Sequence, residues 1–230
     1  MLTGPYGSSS HDDLLKKLEA LFEARGQHTL PLSAEAETLH QDIQRQILEK
    51  TGCELSLEAR HWPYTDSTGG FAQRNGKKIL LFNTSVVTFD ASHEGFQAFK
   101  AQNPSTSPRD FFRNIVAHEY GHHHLAHSSQ RTVGYQSVPA VLSMEADEAF
   151  AFWFGDAITG CSSPLQALRP AYSHLDFQNM ICLYEALQQR SASEGIFTVV
   201  ASAQRALAAP VKASGGRSSM CGMNLYTRLA

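Results

Sequence analysis

Five of the chain's 11 histidines lie between positions 118 and 127. Two of them, His118 and His122, stand four residues apart with Glu119 beside the first. Residues at that spacing share one face of a helix, so a helix here offers two imidazoles to a single point. Tetrahedral zinc accepts such a pair at about 2.0–2.1 Å. Glu119 falls one step round the helix, near such an ion but off the line joining its ligands. A carboxylate there can take a proton from a water whose pKa zinc lowers to about 7.

The helix carrying this motif is signalled independently. Ser107 is a hydroxyl cap, Pro108 occupies the first helical position and Asp110 is an acid in the first turn. The helix is expected to run to about Ala126. Phe111, Ile115 and Val116 give it an apolar side, which sets the histidines at the edge of a core. Gly121 costs roughly 1 kcal/mol relative to alanine in mid-helix, a cost best tolerated where another element passes close. His123, His124 and His127 face other directions and read as solvated or supporting histidines.

A catalytic zinc takes three protein ligands and keeps one position open. The long metzincin motif requires glycine at 125 and histidine at 128, where this chain has Leu125 and Ser128, and that class is excluded. The remaining source is the acidic helix Met144-Glu145-Ala146-Asp147-Glu148-Ala149-Phe150-Ala151-Phe152. Its alanines allow close packing, and three acids beside so many aromatics need a counter-charge. Glu145 is taken as the third ligand, with Glu148 as the alternative, and Asp147 as a residue that orients a histidine.

The rest of the chain supplies a scaffold. Helical spacing is expected over 12–24, from Ser33 to Gly52, around 95–101, from about Val141 to Thr159, and over 176–190 and 197–208. Residues 128–140 read as a loop. Residues 54–60 alternate like a strand, and Gly70–Arg74, Asn75-Gly76 and Lys77–Asn83 read as a hairpin. The Gly/Ser-rich ends, 1–10 and 210–230, read as loose tails around one domain at 11–209. A net charge of −3 with no basic stripe argues against a nucleic-acid partner. No apolar run approaches the roughly 18 residues of a membrane span. No basic-then-apolar leader opens the chain, so the expectation is a soluble cytoplasmic protein. The four cysteines form no close pair and read as reduced, mostly buried thiols.

Together, the hairpin GGFAQRNGKKILLFN, the stretch Ala117 to His123 (AHEYGHH) and the Glu-Ala-Asp segment followed by Phe150-Ala151 resemble the glutamate-ligand zincins, particularly the ImmA/IrrE metallopeptidases. The resemblance spans roughly Gly69 to Gly160. It implies an α+β, zincin-like fold, mostly helical, with a small twisted antiparallel or mixed sheet and an HExxH active-site helix. It also implies peptide-bond hydrolysis, with His118, His122 and a glutamate as ligands of Zn2+. One departure stands out: families reading Glu-x-x-Ala-Asp place the ligand where this chain has Ser143. That feature keeps open a non-catalytic regulatory or interaction module on the same scaffold, beside a zinc endopeptidase and an injected bacterial effector protease. In such enzymes a histidine or tyrosine often stabilises the oxyanion; Tyr172 and His174 are available but read first as ordinary half-buried residues. The strand Lys77–Asn83 is expected at the cleft edge, with Ile79, Leu81 and Asn83 on one face and Leu80 and Phe82 on the other. There an extended protein or peptide substrate could add as a further strand.

Overall fold

The computed structural model describes residues 11–130 and 144–208. In chain order the elements are α1 (His11–Gln27), β1 (Leu30–Pro31), α2 (Ala34–Thr51), β2 (Glu58–His61), β3 (Gly69–Arg74) and β4 (Lys77–Phe82). They continue with α3 (Thr84–Val87), α4 (Glu94–Gln102), α5 (Pro108–Gln130), α6 (Met144–Thr159), α7 (Leu165–Leu168), α8 (Phe177–Glu194) and α9 (Ile196–Ala208). The architecture is α+β: helices around one small mixed sheet of order β1-β2-β4-β3. The expected tails and most of the expected loop after α5 lie outside the described residues. No helix among those described is long and apolar enough to cross a membrane.

Local chemistry explains most boundaries. Ser33 accepts from the Ala36 N–H at 3.2 Å and starts α2; Asp176 does the same for Asn179 at 3.1 Å and starts α8. At the head of α5, Asp110 Oδ2 accepts from Ser107 N–H and Oγ at 2.9 and 2.7 Å. Asn75 and Gly76 take positive φ, 53° and 70°, as a tight hairpin turn demands. The strand expected over 54–60 shrinks to Glu58–His61. The residues before it run as irregular chain, and Leu57 bonds the Tyr120 hydroxyl of α5.

Strand order corrects one expectation outright. β4 is internal, paired parallel to β2 and antiparallel to β3, and Ile79, Leu80, Leu81 and Phe82 are all buried. Its backbone is spent on both neighbours, and of its side chains only Lys78 reaches the cavity wall; the edge strand beside it is β3.

α6 is apolar almost all round, as a central helix must be. It packs against α5 and α8, with Trp153 and Phe154 fully buried. Two glycines set the α5–α6 crossing. A Cβ at Gly121 would lie 2.8 Å from Ala151 Cα, and one at Gly155 would lie 3.1 Å from the Asn114 carbonyl oxygen. The passing element expected at Gly121 is therefore α6. Cys53, Cys161 and Cys182 form no disulfide among the described residues and are half-buried, against the expectation of mostly buried thiols.

Candidate metal and catalytic site

The crossing of α5 and α6 decides which acid meets the histidines. From the contact of Gly155 with His118 to that of Ala151 with Gly121, the helices run in opposite directions. Continuing along α6 toward its start brings Glu148 level with His122. His118 Nε2 and His122 Nε2 are 3.1 Å apart, and Glu148 Oε2 lies 3.8 Å from the first and 3.7 Å from the second. These are the residues whose donor atoms converge as a possible metal-holding group. Donor atoms around a tetrahedral zinc, at bonds of about 2.0–2.1 Å, lie roughly 3.3 Å apart, so the set fits with small adjustments.

Glu145, the first choice from sequence, is not brought to the histidines. It sits about a turn further along α6, past His122, and its Oε1 accepts from the Asp176 N–H at 3.2 Å. The alternative, Glu148, takes the place beside them. A signal for this was present: Glu148, Ala151 and Gly155 recur at helical spacing, and the small members mark the face that can approach Gly121.

Asp147 Oδ2 accepts from His122 Nδ1 at 2.9 Å. This bond turns the other ring nitrogen, Nε2, toward the shared point. Tyr172, from the turn after α7, shares the cavity wall with Glu148 and packs edge-on against Phe152 at 5.6 Å. Sequence reading ranked Tyr172 as ordinary; the structure puts it in the site. His174 stacks on Tyr172 but is exposed. His124 is 2% exposed and stacked on Phe150 and Phe154, which corrects its reading as a solvated or supporting residue.

Glu119 is buried against the backbone of β3. A Cβ at Gly69 would come within 2.8 Å of the Glu119 carboxyl carbon, so any other residue there would require this acid to shift. Tyr120 points the other way, and its hydroxyl bonds His40 Nε2 at 3.0 Å, Gln44 Nε2 at 2.7 Å and the Leu57 N–H at 3.3 Å. It ties the motif helix to α2 and to the chain before β2. Sequence gave no hint of either contact, since both depend on residues far apart in the chain.

Electrostatics follow from burial and crowding. With these side chains alone, burial pushes Glu119 up to about 7, opposed by His122 and assisted by Glu148 and Asp147. Burial also raises Glu148, with His122 opposing. For His122 burial disfavours the cation, but Asp147, Glu119 and Glu148 outweigh it and hold its pKa at about 9. Burial and then the charge of His122 drive His118 well below the usual imidazole value.

Two buried atoms are left over: Glu148 Oε2 and His118 Nδ1 have no hydrogen-bond partner among the described residues. The site opens into a cavity of about 640 Å³, walled by Gly69, Phe71, Lys78, Phe99, Ile115 and Phe152 among others. Comparison with known proteins finds no matching family model, no matching curated protein and no matching solved structure.

Proposed function

We propose that the protein is a zinc-dependent endopeptidase. His118 and His122, through Nε2, and Glu148, through Oε2, hold the ion, and Glu119 is the general base. One observation carries the reading. Glu148 Oε2 is buried, faces two imidazole nitrogens and accepts from no donor among the described residues. Such a group is costly unless a cation completes it.

Zinc in this place supplies Lewis acidity, polarising a peptide carbonyl and lowering the pKa of a water to about 7. The protein's own groups do the rest. Glu119, packed on Gly69, accepts the proton and delivers it to the leaving amine. Asp147 keeps the His122 ring from turning, and Tyr172 offers a neutral O–H donor to the same cavity.

The substrate is an extended peptide added to the edge of β3 that has no partner strand among the described residues. In the β3–β4 ladder the Asn83 N–H reaches the Thr68 carbonyl at 3.5 Å, and the alternation of an antiparallel pair then turns the backbone groups of Gly69, Phe71 and Gln73 outward. The Gly69 carbonyl accepts from Ser67 Oγ at 2.7 Å, which leaves the Gly69 N–H and both groups of Phe71 for a peptide.

The resemblance to glutamate-ligand zincins of the ImmA/IrrE kind supports the same chemistry. Because Glu148 stands within reach of both imidazoles, serine at 143 is no argument for a non-catalytic scaffold. The test is elemental analysis with a peptide-cleavage assay on the wild type and Glu119→Gln. About one zinc per chain is expected in both, with cleavage lowered about 10²–10⁴-fold in the variant. Absence of zinc from the wild type, or a native cleavage rate in the variant, would refute the assignment.

A further inference from the structure

The cavity wall carries one positive side chain that the chemistry above leaves unused. Lys78 is the only lysine or arginine among the described residues lining it. It lies in β4 opposite Gln73, half-buried, on the same sheet face as Phe71 and Leu80. Its Nζ sits 4.9 Å from the centroid of the Phe71 ring. That ring in turn meets His122 edge-on at 6.4 Å, so a single aromatic ring separates the ammonium from the histidine pair.

No carboxylate comes within ion-pair distance of Lys78 among the described residues. Asp147 acts on it only through its field, and its Oδ2 is committed to His122. A half-buried ammonium with only a ring face beside it has lost hydration without gaining an acceptor. Packing alone does not require a cation here, since a methionine would cover Phe71 as well.

The edge of β3 shows what passes this point. At Gln73 the edge is closed: a Cβ at Gly26 of α1 would lie 2.7 Å from the Gln73 carbonyl carbon. The Asn75 N–H is also taken, by Glu23 Oε1 at 2.8 Å. A peptide paired with Gly69 and Phe71 therefore reaches the end of its track beside Lys78. Phe71 is two positions along the strand from Gly69, which lies against Glu119. At about 3.3 Å per residue, a group over Phe71 belongs to a residue roughly two from the bond being cut.

Resting on the peptidase reading, we infer that Lys78 is a specificity-determining residue that receives a carboxylate of the peptide. The chemistry is an ammonium–carboxylate pair in a partly desolvated wall, which selects substrates by charge. The carboxylate is an Asp or Glu side chain near the cut, or the terminal carboxylate of a peptide ending there.

The experiment offers a protease-digested proteome, as a peptide library, to wild type, Lys78→Met, Lys78→Arg and Lys78→Glu. Cut sites are read by mass spectrometry and zinc content is measured alongside. Wild type is expected to select Asp or Glu at one fixed position within about three residues of the cut, or a fixed distance from the C-terminus. Amidated peptides lose selection in the second case and keep it in the first.

Lys78→Met lowers the ratio of kcat/KM for carboxylate-bearing over matched neutral peptides about 10–100-fold, chiefly through KM. Lys78→Arg retains selection, and Lys78→Glu shifts it toward Lys and Arg. Zinc content stays unchanged throughout. Active wild type whose selection is untouched by Lys78→Met and Lys78→Glu overturns the role of Lys78 alone. Wild type without zinc and without cleavage overturns this role and the peptidase reading together.

Discussion

Two carboxylates of α6, Glu148 and Asp156, are buried in the same helix a little over two turns apart, and they meet opposite fates. Asp156 is surrounded by donors: Asn114 Nδ2 at 3.0 Å, Ser163 Oγ and N–H both at 2.8 Å, and the Tyr184 hydroxyl at 2.6 Å. Every oxygen is used, and the network joins α5, α6, α8 and the chain before α7. Glu148 lacks such donors: its Oε2 has no hydrogen-bond partner among the described residues and faces two imidazoles. Burial pushes both carboxyls upward, so burial alone does not separate them. The hydrogen-bond count does: a satisfied buried acid holds a fold together, whereas an open one beside convergent nitrogens is where a cation could bind.

The largest expected effect tests the open acid. Glu148→Ala removes a metal bond, so stoichiometric zinc and all peptide cleavage should be lost. Unfolding of the metal-free protein, followed by denaturant in chelator, should change by no more than about 1 kcal/mol. A variant that kept its zinc would erase the contrast with Asp156.

The satisfied acid should behave in the reverse way. Asp156→Ala strands donors from three elements and should lower stability by about 3–5 kcal/mol. The fraction that remains folded should bind zinc normally, by elemental analysis. Zinc loss without a stability change would mean that the two acids had been assigned the wrong way round.

A smaller effect sharpens the boundary between holding the ion and orienting its holder. Asp147→Ala leaves all three donor atoms in place but frees the His122 ring, which should weaken zinc about 10–100-fold in competition with a chelator. Smallest of all is Glu145→Ala. It removes an exposed contact to the Asp176 N–H, and zinc affinity should stay within about twofold, stability within about 0.5 kcal/mol. A large loss of zinc affinity here would return Glu145 to the metal.

What could be read from residues alone shows where local pattern ends. The pair His118 and His122, with Glu119 beside it, needed only the helix period, and the structure sets all three on the wall of one cavity. The Asn75-Gly76 turn and the Ser33 and Asp176 starts were equally legible, because capping and turn chemistry act within a few residues. Sequence also marked Gly121 as a place of close approach without saying what approached.

The sequence by itself determined the helix that carries His118, Glu119 and His122, the hairpin before it and the α+β character of the chain, since each follows from short-range spacing. Tertiary structure decided the rest. Glu148 rather than Glu145 meets the histidines because two helices cross at Gly121 and Gly155, and a slide of one turn, about 5.4 Å, would exchange them. β3 rather than β4 is the edge because β2 pairs with β4 from across the chain, a long-range match with no signature in either strand. Gly69 matters because Glu119 lies against it, and Tyr120 because Gln44 donates to its hydroxyl and the Leu57 carbonyl accepts from it. Such contacts are set by how whole elements translate and rotate against one another, and residue spacing within an element carries no information about that.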